Sequence, residues 1–260
     1  MPYSLEQDIR AANAASFGAI EIWVNKLRKF LEGRTREDLK RLLMDSGICA
    51  PSLCPFGGFV LCSEEDYRGR TEDLKHFLEV GDFIGTEYVI ICADGLGNVS
   101  FEEAKRAYVS RLRRLSSVTS KYGIKIALEW FRELPPAIDI VKAIDDEHVG
   151  LLVDTFHWYR GDGSLENLKK VPSEKLLFVH ISDCENLPRK ELTDKNRLYC
   201  GSGIIPLVDV LKILEDKNYN RYLSVEIFRE EYWREEPEEI SRTAYKTLID
   251  IALKSRVSIS

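Results

Sequence analysis

The stretch Val149-Gly-Leu-Leu-Val-Asp154 decides how this chain is read. Five apolar or small residues in a row suit a strand buried on both faces, the kind found inside a parallel sheet. A carboxylate at the C-terminal end of such a strand packs badly. It is well placed for chemistry, because α/β barrels carry their active sites at that rim. Three more runs end the same way: Ile124-Lys-Ile-Ala-Leu-Glu129, Leu176-Leu-Phe-Val-His180 and Tyr222-Leu-Ser-Val-Glu226. The four terminal residues are spaced by 25, 26 and 46 positions. The first two spacings match one strand–helix–strand repeat, and a long loop stretches the third.

Working outward, strand-like and helix-like segments alternate along the whole chain, the pattern of a parallel α/β fold. Strands are predicted over 19–24, 48–54, 87–93, 124–130, 149–155, 176–182 and 222–228, with helices between them. Helix starts are marked by capping boxes at Thr35-x-x-Asp38, Ser63-x-x-Asp66 and Ser100-x-x-Glu103. Gly47, Gly85 and Gly123 stand where helices should stop. The last helix is predicted over 237–254, outside the barrel. No linker or low-complexity segment interrupts the chain, so residues 1–260 read as one domain, a TIM (β/α)8-type barrel. Only seven strands are readable. The chain opens on another capping box, Ser4-Leu-Glu-Gln7, so its first element is a helix over about 5–17. The pattern is that of a barrel lacking its first strand, as when translation is assigned to an internal methionine, or of a native seven-stranded barrel.

Composition narrows the function. At 260 residues with 44% apolar content the chain can fill one large core, and 31% charged content with that core argues against disorder. A net charge of −6 opposes bulk binding to nucleic acid. No apolar run approaches the roughly 20 residues of a membrane span. The N-terminus is polar and acidic, unlike a signal peptide. The six cysteines include no C-x-x-C pair, which fits a cytoplasmic protein with reduced thiols.

Glu129, Asp154, His180 and Glu226 converging at one rim would hold a single divalent metal: Mn²⁺, Co²⁺, Mg²⁺ or Zn²⁺. Each has a plainer role when taken alone. The glutamates could be surface charges, Asp154 a helix cap, and His180 a hydrogen-bonded core histidine. Four such residues at the same end of consecutive strands are hard to obtain by accident. His157 is read as a substrate contact, against the alternatives of a second metal or stacking on Trp158. Asp183 orients a ligand or caps a turn. The loop from Cys184 to Ile205 is long enough to be functional and reads as a lid. In it, Arg197 is a candidate to hold a substrate oxygen, against a solvent-exposed charge. Trp130, Phe156, Trp158, Phe228, Tyr232 and Trp233 gather near strand ends, as sugar-binding walls or barrel rim.

At these positions the chain resembles the sugar phosphate isomerase/epimerase family with a xylose-isomerase-like barrel, and within it the inosose (keto-inositol) isomerases. The resemblance rests on Ile-Ala-Leu-Glu129, Leu-Val-Asp154-Thr-Phe-His157, Val-His180-Ile-Ser-Asp183, Arg197 ahead of Gly201-Ser-Gly203, and Ser-Val-Glu226-Ile-Phe. It runs from about residue 4 to the C-terminus. It implies metal ligands at Glu129, Asp154, His180 and Glu226, and substrate oxygens near His157 and Arg197. It implies a metal-dependent isomerase or epimerase acting on a keto-sugar or keto-cyclitol. Glu129 and Glu226 would be acid and base, moving a proton through an enediolate. A dehydratase of a related keto-polyol and a non-catalytic sugar-binding barrel are the alternatives, and an endonuclease IV-type repair enzyme is disfavoured by the four histidines and the acidic charge. Homo-oligomerisation is left open. The chain departs from the family at Cys200 and Pro206, where proline and aspartate are usual, and at Pro135, where ketose 3-epimerases carry a carboxylate.

Overall fold

The computed structural model describes residues 2–257. Met1 and residues 258–260 of the expected domain lie outside the described residues. In chain order the elements are α1 (Leu5–Ala14), β1 (Ala19–Trp23), α2 (Val24–Leu31), α3 (Arg36–Asp45), β2 (Cys49–Phe56), α4 (Glu64–Ile84), β3 (Tyr88–Cys92), α5 (Phe101–Thr119), β4 (Lys125–Glu129), α6 (Leu134–Ile144), β5 (Val149–Asp154), α7 (Thr155–Gly161), α8 (Leu165–Lys169), β6 (Leu176–Ile181), β7 (Asp183–Cys184), β8 (Arg197–Leu198), α9 (Leu207–Asp216), β9 (Leu223–Val225) and α10 (Pro237–Ser255). All seven expected strands are present. They pair in parallel in the order β1-β2-β3-β4-β5-β6-β9, giving a nearly closed barrel with flanking helices. No helix among the described residues is long and apolar enough to cross a membrane.

The expected caps set the helix starts. Ser4, Thr35 and Ser100 form reciprocal capping boxes with Gln7, Asp38 and Glu103. Ser63 Oγ accepts the Asp66 N–H. Gly85 ends α4 in the left-handed conformation at φ 86°, where a side chain would be strained. Helix α1 stops three residues short of expectation. Ser16 turns left-handed at φ 71°, and the Phe17 N–H closes back on the Ala12 carbonyl.

Side-chain alternation places the site. Successive strand residues face opposite sides of the sheet. Ile90, Ala127, Leu152 and Phe178 pack together inside the barrel. Ile126, Leu128, Leu151, Val153, Val179 and Ile181 face the helices. Stepping two residues on from Ala127, Leu152 and Phe178 reaches Glu129, Asp154 and His180, so all three point into the barrel at its C-terminal end. Glu226 immediately follows β9, and its N–H reaches the Ile181 carbonyl at 3.3 Å.

The barrel has one seam. Strands β1 and β9 are both edges of the sheet and do not pair with each other. Every residue of β5 and β6 is buried, whereas all three of β9 and four of five in β1 are only half-buried. A cavity of about 1080 Å³ runs along the seam between Ile20, Trp23, Leu223 and Val225, with Ala12 of α1 and Leu248 of α10 behind it. The short strands β7 and β8 pair only with each other, so no other described segment supplies an eighth strand.

An open edge leaves backbone amides unprotected. Hydrogen exchange should find seam-facing amides of β1 and β9 exchanging at least about 100-fold faster than those of β4 and β5, roughly 3 kcal/mol in opening free energy. Uniform protection across all seven strands would contradict the open seam.

Candidate metal centre

The ligating atoms of Glu129, Asp154, His180 and Glu226 all lie within 4.8 Å of one another. Register explains the convergence. Asp154 pairs with His180 across β5 and β6, and His180 pairs with Ser224 across β6 and β9, two residues before Glu226. His180 is fully buried, and its Nδ1 has no hydrogen-bond partner. That atom lies 3.5 Å from Glu129 Oε1, 3.3 Å from Glu226 Oε2 and 4.0 Å from Asp154 Oδ2. An orphaned buried nitrogen amid three carboxylates is the donor set a divalent cation needs. The residues present therefore fit the metal that the sequence implies.

Three of the four residues, Asp154, Glu129 and His180, divide their two polar atoms between the cage and a support. Asp154 Oδ1 accepts the N–H of Phe156 at 2.7 Å and of His157 at 3.3 Å, capping α7. Its Oδ2 faces the cage and binds Arg197 Nη2 at 2.7 Å. The two readings of Asp154, helix cap and ligand, are thus compatible, one oxygen for each. Glu129 Oε2 accepts from the Cys92 thiol at 3.2 Å, leaving Oε1 toward His180. Cys92 and Glu129 are register partners on β3 and β4. His180 Nε2 lies 2.8 Å from Glu21 Oε1. Neither Glu21 nor Cys92 was expected. The signal for Glu21 is a lone charge inside the apolar run Ala-Ile-Glu-Ile-Trp.

Arg197 is fully buried, so it is not a solvent-exposed charge. Its guanidinium also lies 3.3 Å from Glu226 Oε2, donates to Ser182 Oγ at 3.2 Å, and stacks 4.5 Å over the Phe156 ring. His157 Nε2 stands 3.3 Å from Arg197 Nη2, and its Nδ1 is buried without a partner. The loop carrying Arg197 is tied down at its base. Asp183 accepts the N–H groups of Cys184, Gly203 and Ile205 at 2.9, 2.9 and 2.8 Å, which is the capping role rather than the orienting of a ligand.

The tryptophans lie apart from the cage ligands' contacts. Trp158 is buried, and its indole N–H donates to the Ser164 carbonyl at 3.2 Å. Trp130 is buried edge-on to Tyr108, with no partner for its N–H. Glu226 shares the seam cavity with Trp23, Phe228 and Tyr232. Phe131 stands edge-on to His157 at 4.6 Å. Pro135 lies in the first turn of α6, where proline costs no helix hydrogen bond.

Electrostatics follow from burial and charge. Burial pushes the Glu226 carboxyl up to about 7, against the pull of His180 and Arg197. For Asp154, burial works the same way, but Arg197 outweighs it and holds the carboxyl below its usual range. Burial would lower His180, yet the Glu226 and Glu21 carboxylates raise it well above the ordinary imidazole value.

The sequence profile of the xylose isomerase-like TIM barrel family matches residues 9–251. The inosose isomerase of Halalkalibacterium halodurans is 29% identical over 96% of this chain and 92% of its own length. The 3-dehydroshikimate dehydratase of Pseudomonas aeruginosa is 28% identical over 87% of this chain but only 36% of its own length. Among solved structures, the IolI protein with a bound zinc atom superposes with a TM-score of 0.93, at 29% identity over 97% of this chain and 94% of that one.

Two outcomes are expected. Binding a metal must displace the protons held by both Glu226 and His180, so Mn²⁺ or Co²⁺ affinity should rise as pH climbs from about 5.5 through 7 and go on rising above it. Affinity that stays flat from pH 5.5 to 8, measured by calorimetry, would contradict the cage. A Cβ at Gly203 would overlap the Cys184 carbonyl and lie 2.6 Å from Asp183 Oδ1. Gly203→Ala should therefore lower the unfolding free energy by about 1–3 kcal/mol in a denaturant titration, and an unchanged midpoint would refute the close packing at the loop base.

Proposed function

The chain belongs to the xylose isomerase-like TIM barrel family, and we propose that it is a divalent-metal-dependent isomerase of a keto-cyclitol of the inosose type. The observation that carries this is the buried, unpartnered His180 Nδ1 facing three carboxylates. The similarity to inosose isomerases over nearly the whole chain supplies the substrate class. On this reading residues 1–260 act as one domain, and Glu129, Asp154, His180 and Glu226 hold the ion.

A bound divalent ion supplies Lewis acidity, polarising a carbonyl and the hydroxyl beside it. The protein's own groups do the rest. Glu129 and Glu226 exchange the proton α to the carbonyl, one as base and the other as acid. Arg197 and His157, side by side next to Asp154, donate to substrate oxygens and fix its orientation. Trp23, Phe228 and Phe131 offer apolar faces to the ring C–H groups, with Trp130 and Trp158 backing them from the core.

The similarity to a dehydratase favours a second reading, in which the same proton abstraction is followed by loss of a β-hydroxyl. Proton NMR of an inosose in deuterated water with Mn²⁺ separates the two. Isomerisation should give a new keto-cyclitol carrying solvent deuterium, and dehydration an enone absorbing in the ultraviolet. Glu129→Gln and Glu226→Gln should each slow deuterium incorporation by roughly 10²–10⁴-fold with an unchanged circular-dichroism spectrum. Full exchange activity in either variant, or in chelator-treated wild type, would sink the proposal.

A further inference from the structure

We propose that Glu21 is a positioning residue of the metal centre, holding His180 so that Nδ1 rather than Nε2 faces the ion. The inference rests on the metal reading above and adds a residue outside the four ligands. Glu21 Oε1 lies 2.8 Å from His180 Nε2, and Glu21 Oε2 accepts from Ser52 Oγ at 2.7 Å. His180 and Ser52 are fully buried, and the Glu21 side chain is 6% exposed. A carboxylate only accepts hydrogen bonds, so it selects the tautomer that carries hydrogen on Nε2. The lone pair is then left on Nδ1, the atom that lies between Glu129 and Glu226 without a partner.

The backbone explains why the contact is well aimed. Glu21 and Ser52 are register partners on β1 and β2, so the ladder itself presents the hydroxyl to the carboxylate. Strands β1 and β6 are not neighbours: β6 pairs with β5 and β9, and β1 pairs only with β2. The Glu21–His180 contact therefore reaches past β9, linking edge strand β1 to β6 inside the barrel. One side chain both orients a ligand and ties down an edge strand. Carboxylates that orient a ligating histidine are worth about 10–100-fold in metal affinity.

The test is Co²⁺ titration of metal-stripped protein, followed by calorimetry and by the visible d–d bands, which report ligand geometry. Glu21→Ala should weaken Co²⁺ binding roughly 10–100-fold and shift the bands. Glu21→Gln, whose amide oxygen still accepts from Nε2, should recover most of the affinity. Ser52→Ala should weaken binding less than Glu21→Ala. A folded Glu21→Ala protein that binds Co²⁺ within twofold of wild type, with the same spectrum, overturns the proposal. If Glu21→Ala does not fold, Ser52→Ala decides: a spectral shift with weaker binding supports the role, and an unchanged titration rejects it. Wild-type protein that binds no Co²⁺ rejects the metal reading itself, and so is distinguished from a failure confined to Glu21.

Discussion

Three carboxylates and one imidazole share a buried space in which all their ligating atoms lie within 4.8 Å. At an effective dielectric of 20, two like charges at that separation repel by on the order of 3 kcal/mol. A fold that gathers such groups needs a compensating cation. Arg197 provides one within the protein, paired with Asp154 and Glu226. One guanidinium does not balance Glu21, Glu129, Asp154 and Glu226; burial drives Glu226 toward protonation, and the carboxylates around it drive His180 toward the imidazolium. A divalent ion resolves the same imbalance without protons.

The barrel makes this gathering cheap to specify. Parallel strands carry their inward residues in layers, and the layer of Ala127, Leu152 and Phe178 fixes where the next inward residues fall. The polar groups then sit above a packed apolar floor, which limits solvent access from below. The seam is where this arrangement is weakest. There β1 and β9 keep their edges, and a Glu21–His180 contact links β1 to β6 near the site.

The strands and the four convergent residues were legible because apolar runs ending in a charge are rare and their spacing repeats. Glu21 was not legible in that way. It lies in the middle of β1 rather than at its end, and the parity that turns it inward depends on register with β2. Cys92 was hidden for a similar reason, since a thiol at a strand end is also an ordinary core residue. The burial of Arg197 could not be read from a loop. It depends on three backbone N–H groups closing on Asp183 and on the β7–β8 pairing, long-range contacts without a local signature. The orientation of the Trp158 indole has no local signature either: the short helix α7 aims its N–H at the Ser164 carbonyl.

One divalent ion held by four side chains is the proposed centre on which every other role in the site depends. Anomalous diffraction from a crystal soaked in Zn²⁺ tests this directly. A single strong peak is expected about 2.0–2.2 Å from oxygens of Glu129, Asp154 and Glu226 and from His180 Nδ1. A peak elsewhere, ligation through Nε2, or no peak among these four residues would contradict it.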